Sequence, residues 1–427
     1  MKLSDPLTLP CGARLPNRIA KAAMTEGLAN IYGQPTAELE KLYSIWSDGG
    51  AGLHISGNIQ IDGDHLERPG NVIIDRMPSP EMRAALMRWT AAAARGGNHF
   101  WAQISHAGRQ TMKTVNPKPK APSAVKLGLP GGQFGMPVAL AETEILNLIS
   151  RFGQAAQICR DNGFTGVQIH AAHGYLISQF LSPLSNLRRD RWGGSLENRA
   201  RFLLFTINTV RQLVGPTFPI SVKLNSADFQ RGGFAFEDSL KVARWLQEAG
   251  VDLIEISGGT YEQPKLLGLE GIDAAEPQSV AETTLAREAY FVDFAKAMKD
   301  EITIALMVTG GFRSASAMEQ ALRSGAADVI GLARPLCVMP DGPKRLLSGV
   351  AILPKTETQL ALLPDWLSGL RKFKMIRAID GFAVQFWYYS QIYALGRTGR
   401  TNLNMSVFAA LREVESYQKK WLRGRHS

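Results

Sequence analysis

Cysteine is scarce in this chain: Cys11, Cys159 and Cys337 stand far apart among 427 residues. No CxxC pair exists, so neither a structural zinc nor a thiolate-held iron–sulfur cluster has enough ligands. Histidine is almost as scarce, at seven residues, and no metal site is expected. No run of about 18 apolar residues occurs, which excludes an ordinary membrane-spanning helix. The first residues, MKLSDPLTLPCGARLPNR, lack an apolar signal core. With so few cysteines, a reducing cytoplasm is the expected compartment. No GxGxxG follows an apolar run, which counts against a Rossmann sheet. Strong charge is also missing from most of the chain. Eleven Lys and Arg against three Asp and Glu fall in residues 371–427, leaving 37 and 35 in the other 370, so the net +10 belongs mainly to the tail. The body carries no basic stripe interleaved with aromatics, and no nucleic-acid partner is expected.

What is present is an alternation. Short apolar runs, NRIAKAAM, AGLHISGNIQI, HFWAQISH, GVQIHA, FPISVKLN, VDLIEISGG, ITIALMVTGG and ADVIGLAR, alternate with longer amphipathic segments. The clearest helical patterns cover Pro80–Ala94, Glu144–Asn162, Leu196–Val214, Phe236–Ala249, Arg287–Lys299 and Ser314–Ser324. Buried runs separated by helices predict a parallel sheet covered on both faces. Eight of them predict an α/β fold, a (β/α)8 TIM barrel with long βα loops; a doubly wound sheet is the second choice. Residues 1–350 are expected to form the barrel, and 351–427 a basic, aromatic, helical C-terminal extension. The long loops 106–142 and 258–285 follow predicted strands, on the side where barrel active sites lie.

The strand ends carry the chemistry. Thr25 follows the first; Gly57 and Asn58 end the second; Gln103, His106, Gly108 and Arg109 lie at the third. His170, His173 and Tyr175 follow the fourth, Lys223 lies in the fifth, Gly310, Gly311 and Arg313 close the seventh, and Gly331 and Arg334 the eighth. The sixth is expected to offer nothing polar. TGGFRS before a helix start, with Arg334 beyond the next strand, suits a phosphate: glycines allow close approach, the helix presents free N–H groups, and a guanidinium binds bidentately. Gln103 could pair with a pyrimidine-like ring edge. An inward Lys223 needs an electron-rich partner, which a reduced flavin supplies; snorkelling or a carboxylate partner is the plainer alternative. His170 and His173 could hold a metal, but HAAH brings no third ligand at a sensible spacing. They could equally be core residues, or two imidazoles aimed at one oxygen with a phenol nearby as acid.

The stretch HAAHGYLISQFLSPLSNLRRDRWGGSLENRARF closely resembles the signature of the Old Yellow Enzyme family, and QISHAGRQ, VTGGFRS and GLARPL match its other motifs in order. The resemblance covers roughly residues 1 to 345. It implies FMN at the C-terminal mouth of the barrel, reduced by NADH or NADPH and reoxidised by a small-molecule acceptor. By this resemblance Ala23, Met24 and Thr25 lie along the flavin, with Thr25 donating to its O4. Gly57 sits beside the ring, Gln103 meets the pyrimidine edge, and Lys223 stands where most members have arginine. Gly310, Gly311, Gly331 and Arg334 surround the phosphate. His170 and His173 grip the acceptor's oxygen, and Tyr175 supplies a proton. The implied activity is reduction of the C=C bond of an α,β-unsaturated carbonyl compound. An NAD(P)H oxidase, a quinone or nitro reductase, or a non-catalytic flavin-binding protein are the alternatives. A homo-oligomer is expected. The tail is expected to pack on the barrel, contact with an anionic membrane being the lesser reading.

Overall fold

The computed structural model describes residues 1–129, 132–257, 294–363 and 374–426. Twelve strands are assigned along the described chain. Two short ones, β1 (Leu7–Thr8) and β2 (Arg14–Leu15), pair antiparallel. Eight close a barrel: β3 (Ile19–Lys21), β4 (Leu53–Gln60), β5 (His99–Ser105), β8 (Gly166–Ala171), β9 (Ile220–Asn225), β10 (Leu253–Ser257), β11 (Ala305–Thr309) and β12 (Val329–Leu332). Every pairing around the barrel is parallel, with β12 meeting β3 to shut it. The α/β barrel expected from the alternation is therefore present. Its strands are buried on both faces, which is why they run apolar rather than alternating.

The small pair β1–β2 serves the closed end. Leu9 and Leu15 pack with Leu53, Trp101, Leu253 and Val329, filling the barrel below the mouth. The main core lies between strands and helices. The helices begin and end where local chemistry favours it. In α5 (Leu196–Val214), Ser195 accepts the N–H of Asn198, and Gly215 at φ 83 ends the helix. In α3 (Glu142–Asp161), the Glu144 carboxylate reaches back to the Ala141 N–H at 2.8 Å. This starts the helix two residues before the expected Glu144. Helices α2 (Pro80–Ala94) and α6 (Phe236–Glu248) follow the sequence reading closely. The sequence reading omits α1 (Ala37–Asp48), whose apolar face is built of Leu39, Leu42, Tyr43 and Trp46.

The first loop, 106–142, is partly ordered by a 3-10 turn at Gly108–Gln110 and a parallel pair, β6 (Lys120–Ala121) with β7 (Val138–Ala139). The second, 258–285, lies outside the described residues, as does the start of the expected helix Arg287–Lys299; from 294 the chain is helical, and it stays so to 301. The extension is helical as expected, in α8 (Lys374–Thr398) and α9 (Val407–His426). Its aromatics turn inward: Trp387 and Tyr388 are buried, and the Trp421 indole N–H donates to the carbonyl of Ala29. Among the described residues no helix is long and apolar enough to cross a membrane.

Candidate functional site

Parallel closure sets all eight strand C-termini around one mouth. Register then decides which side chains are neighbours. Gln103 pairs with Gln168, and Gln168 with Ser221; His170 pairs with Lys223, and Lys223 with Glu255. A buried polar chain results. Gln103 Nε2 donates to Gln168 Oε1 at 2.7 Å, Gln168 Nε2 donates to Glu255 Oε2 at 2.8 Å, and Lys223 Nζ lies 2.9 Å from Glu255 Oε1. The partner of Lys223 is thus a carboxylate, the plainer of the two readings of its burial. The expectation that the sixth barrel strand contributes nothing polar is wrong: β10 supplies Glu255 and Ser257. An acidic residue in a continuous apolar run, VDLIEIS, was the available signal. Because Gln168 takes one amide hydrogen of Gln103, the Gln103 carbonyl oxygen is left to accept from a ring N–H.

His170, His173 and Tyr175 come together beyond β8. Ring centroids are 5.0 Å apart for the histidine pair and 4.7 Å for His170 with Tyr175. His170 Nδ1 accepts the Ala172 N–H, so its proton sits on Nε2. His173 is held in a left-handed conformation at φ 60, rare for a residue with a side chain. Three contacts hold it: its N–H donates to Asn225 Oδ1, its carbonyl accepts from Gln110 Nε2, and its Nε2 lies 2.6 Å from Ser257 Oγ. Burial, the neighbouring His173 and the Lys223 charge hold His170 well below its ordinary pKa; burial and Lys223 do the same for His173. Both are neutral N–H donors at working pH rather than cations.

At the first strand, Ala23, Met24 and Thr25 are half-buried. Met24 is backed by Cys337, sulfur to sulfur at 3.5 Å. Asn58 Nδ2 approaches the Thr25 hydroxyl at 3.5 Å. The β4–β5 register breaks between Ile55 and Asn58, and the Gly57 N–H donates to the buried Glu26 carboxylate at 2.8 Å. A Cβ at Gly57 would lie 2.2 Å from Glu26 and 2.4 Å from the Met24 carbonyl, so this chain itself demands glycine there. Gly331 is demanded in the same way by Thr309, 1.9 Å from its hypothetical Cβ.

The phosphate end has a different character. Gly310 and Gly311 take positive φ, 128° and 75°, and lead to α7 (Ala315–Arg323), whose first turn is capped by Ser314. Arg334 is half-buried, with no hydrogen-bond or carboxylate partner among the described residues. Arg313 is committed instead to Glu357 at 2.6 Å, and Tyr388 of α8 also reaches that carboxylate. Burial acts to raise Glu357, but Arg313 and Arg334 outweigh it and keep the carboxyl below its usual range. A partnerless guanidinium, two permissive glycines and a capped helix start fit a phosphate. The spare Gln103 oxygen and the Thr25 hydroxyl fit a polar ring at the other end. FMN has both features.

A second cluster lies below the loops. Asp62, His65 and His106 place ligand atoms within 4.8 Å of one another, as a metal site would. The tautomers oppose that use. His65 Nε2 accepts the Lys120 N–H and His106 Nδ1 accepts the Gly108 N–H, so the inner nitrogens facing Asp62 carry the protons. Burial alone would raise Asp62, yet His106 and His65 hold its carboxyl far below the ordinary range. The cluster ties the loop after β4 to the loop after β5. The remaining strand-end residue, Arg109, is buried and reaches the carbonyls of Val125 and Lys126.

Comparison with known proteins agrees with this geometry. Residues 2–352 match the NADH:flavin oxidoreductase / NADH oxidase family. An NADH-dependent flavin oxidoreductase of Hypocrea jecorina (strain QM6a) is 36% identical over 360 residues, covering 81% of this chain and 88% of that protein. One of Talaromyces variabilis is 33% identical, covering 94% and 99%. The match to one of Neonectria sp. (strain DH2), 36% identical, covers 82% of this chain but only 47% of that longer protein. Among solved structures, the old yellow enzyme homologue from Zymomonas mobilis superposes with a TM-score of 0.69 at 26% identity, covering 85% and 98%. Morphinone reductase gives 0.65 at 25%, covering 83% and 91%. The chain therefore belongs to the FMN-dependent NADH:flavin oxidoreductase / NADH oxidase family, the Old Yellow Enzyme group.

Proposed function

We propose that the protein passes hydride from NADH or NADPH, by way of FMN, to the C=C bond of an α,β-unsaturated carbonyl compound. One observation carries this reading: two neutral imidazoles and a phenol meet above strand ends suited to a flavin. FMN, when bound, supplies the two-electron exchange between nicotinamide and acceptor. Arg334, Gly310, Gly311 and the start of α7 would hold its phosphate; Gln103, Lys223, Ala23, Met24, Thr25, Gly57 and Gly331 would surround the rest. His170 and His173 would donate to the acceptor's carbonyl oxygen and stabilise the charge that develops there. Their neutrality suits this, since no proton is lost to the product at that oxygen. Tyr175 would deliver a proton to the carbon beside the carbonyl.

A flavin-binding protein without turnover would have no use for a strained His173 or for the Ser257 contact that orients it. The test is Tyr175→Phe. Anaerobic bleaching of bound FMN by NADH should be unchanged, while alkene reduction slows by about 10²–10⁴-fold, the usual contribution of a placed general acid. Undiminished alkene turnover would overturn the assignment. Similarity to the NADH oxidase of Thermoanaerobacter brockii, 33% identical over 337 residues, supports a second reading with oxygen as acceptor. Oxygen uptake that enones do not suppress would favour it.

A further inference from the structure

Glu255 takes no part in the chemistry proposed above. It sits in β10 with no exposure to solvent, and its two oxygens have different partners. Oε2 accepts from Gln168 Nε2 at 2.8 Å, and Oε1 lies 2.9 Å from Lys223 Nζ. Paired with an ammonium, Glu255 is a carboxylate, and a carboxylate only accepts hydrogen bonds. Gln168 must therefore turn its nitrogen toward Glu255, and that nitrogen also donates to the Ser221 hydroxyl at 3.2 Å. The Gln168 carbonyl is left facing Gln103, whose Nε2 donates to it at 2.7 Å. The Gln103 amide is fixed in turn, with its oxygen as the outer end. Side chains from β5, β8 and β10 thus share one hydrogen-bond polarity, and the carboxylate at the far end sets it.

We propose that Glu255 is a positioning residue of the cofactor site, holding the Gln103 amide in its acceptor orientation through Gln168 and offsetting the Lys223 charge that the flavin meets. This rests on the reading of Gln103 and Lys223 as flavin contacts. The two effects have separate consequences. Orientation acts on affinity. Gln103 offers an acceptor to a ring N–H, whereas an amide turned the other way would set donor against donor. Charge acts on potential. Reduction makes the flavin ring electron-rich, so a cation beside it favours the reduced form and a nearby carboxylate opposes this. Lys223 is 4% exposed and Glu255 not at all, so solvent screens the pair little. With a carboxylate 2.9 Å away, Lys223 faces the site as one end of an ion pair rather than as a bare cation.

The experiment measures the two-electron midpoint potential of bound FMN, by anaerobic equilibration with a reference dye, and the FMN dissociation constant, by quenching of its fluorescence. Glu255→Gln leaves the Lys223 charge unmatched. Reduced FMN should then be held about tenfold tighter relative to oxidised FMN, a rise of about 30 mV. Gln168→Met breaks the relay and keeps the ion pair. It should weaken FMN binding about tenfold, the value of one hydrogen bond in a buried polar site, and move the potential by less than that rise. An unchanged potential in Glu255→Gln, or FMN bound as tightly by Gln168→Met as by the wild type, overturns the proposal. If Glu255→Gln does not fold, the double variant Lys223→Met with Glu255→Met decides, because it buries no unpaired ion. An offset lysine predicts a fall in potential of under about 30 mV there; a larger fall reveals a bare cation and overturns the proposal. A wild type that binds no FMN overturns the flavin reading itself, a different result from variants that bind it unaltered.

Discussion

Ser257 shows how one hydroxyl organises a site that its own stretch of sequence does not announce. It ends β10, is buried, and sits 2.6 Å from the Nε2 of a histidine 84 positions away. Ser257→Ala removes the contact that orients His173. A phenol bound in the mouth as an analogue of the acceptor's oxygen should bind about tenfold more weakly, the value of one hydrogen bond to a buried polar group. The absorbance of bound FMN without phenol should not change. Undiminished phenol binding would mean that His173 is held by its backbone contacts alone. Much of the site was legible at this scale because polar residues at successive strand ends must share a barrel mouth. The roles of Gln168 and Glu255 were not legible, although a polar residue in an apolar run was a signal of their presence. Each sits inside an apolar run, and only the register between β5, β8, β9 and β10 shows that they link Gln103 to Lys223.

Among the elements, the extension packs as its aromatic sequence leads one to expect, despite its charge. Helices α8 and α9 bury Trp387, Tyr393, Val414 and Trp421, and α8 lies along α1. The basic side chains Arg412, Lys419, Lys420 and Arg423 form the outward face of α9. The extension also touches both ends of the mouth. Tyr388 reaches Glu357, the partner of Arg313, and Tyr389 covers Arg68 beside Glu67. Trp421→Ala should cost about 3–5 kcal/mol, the range for deleting a buried large aromatic, because the ring packs on the core and its N–H is bonded to Ala29. Urea unfolding measures it, and a loss under about 1 kcal/mol would mean that α9 is only loosely docked. Arg313 closes the seventh barrel strand beside Gly310 and Gly311, and a glutamate 44 residues later pairs with its guanidinium.

Across the whole molecule, the few histidines have a collective consequence. Burial pushes His54 down to about 3 and His106 to about 4, and His170 and His173 lie well below 6.5. A base whose folded pKa is depressed binds fewer protons folded than unfolded once pH drops below the unfolded value. Stability therefore falls with pH in that window. Below about pH 6.5 all four act in this direction, and His54, held near 3, should by itself remove roughly 1.4 kcal/mol per pH unit at full effect down to about pH 4. Denaturant midpoints measured across this range should drop well before carboxylates begin to protonate; a flat profile there would contradict the buried neutral histidines. The sequence by itself determined the barrel, since eight apolar runs joined by amphipathic segments have few other ways to bury both faces of a sheet. It also determined which strand ends carry His170, His173, Tyr175, Gln103 and Arg334, because strand polarity in a parallel barrel is a property of chain order. Only the tertiary structure decided the partners: Lys223 with Glu255, His173 with Ser257, and Arg313 with Glu357. Hydrogen bonds and ion pairs form between groups a few ångströms apart, and closing the barrel brings together residues that are tens or hundreds of positions apart in the chain.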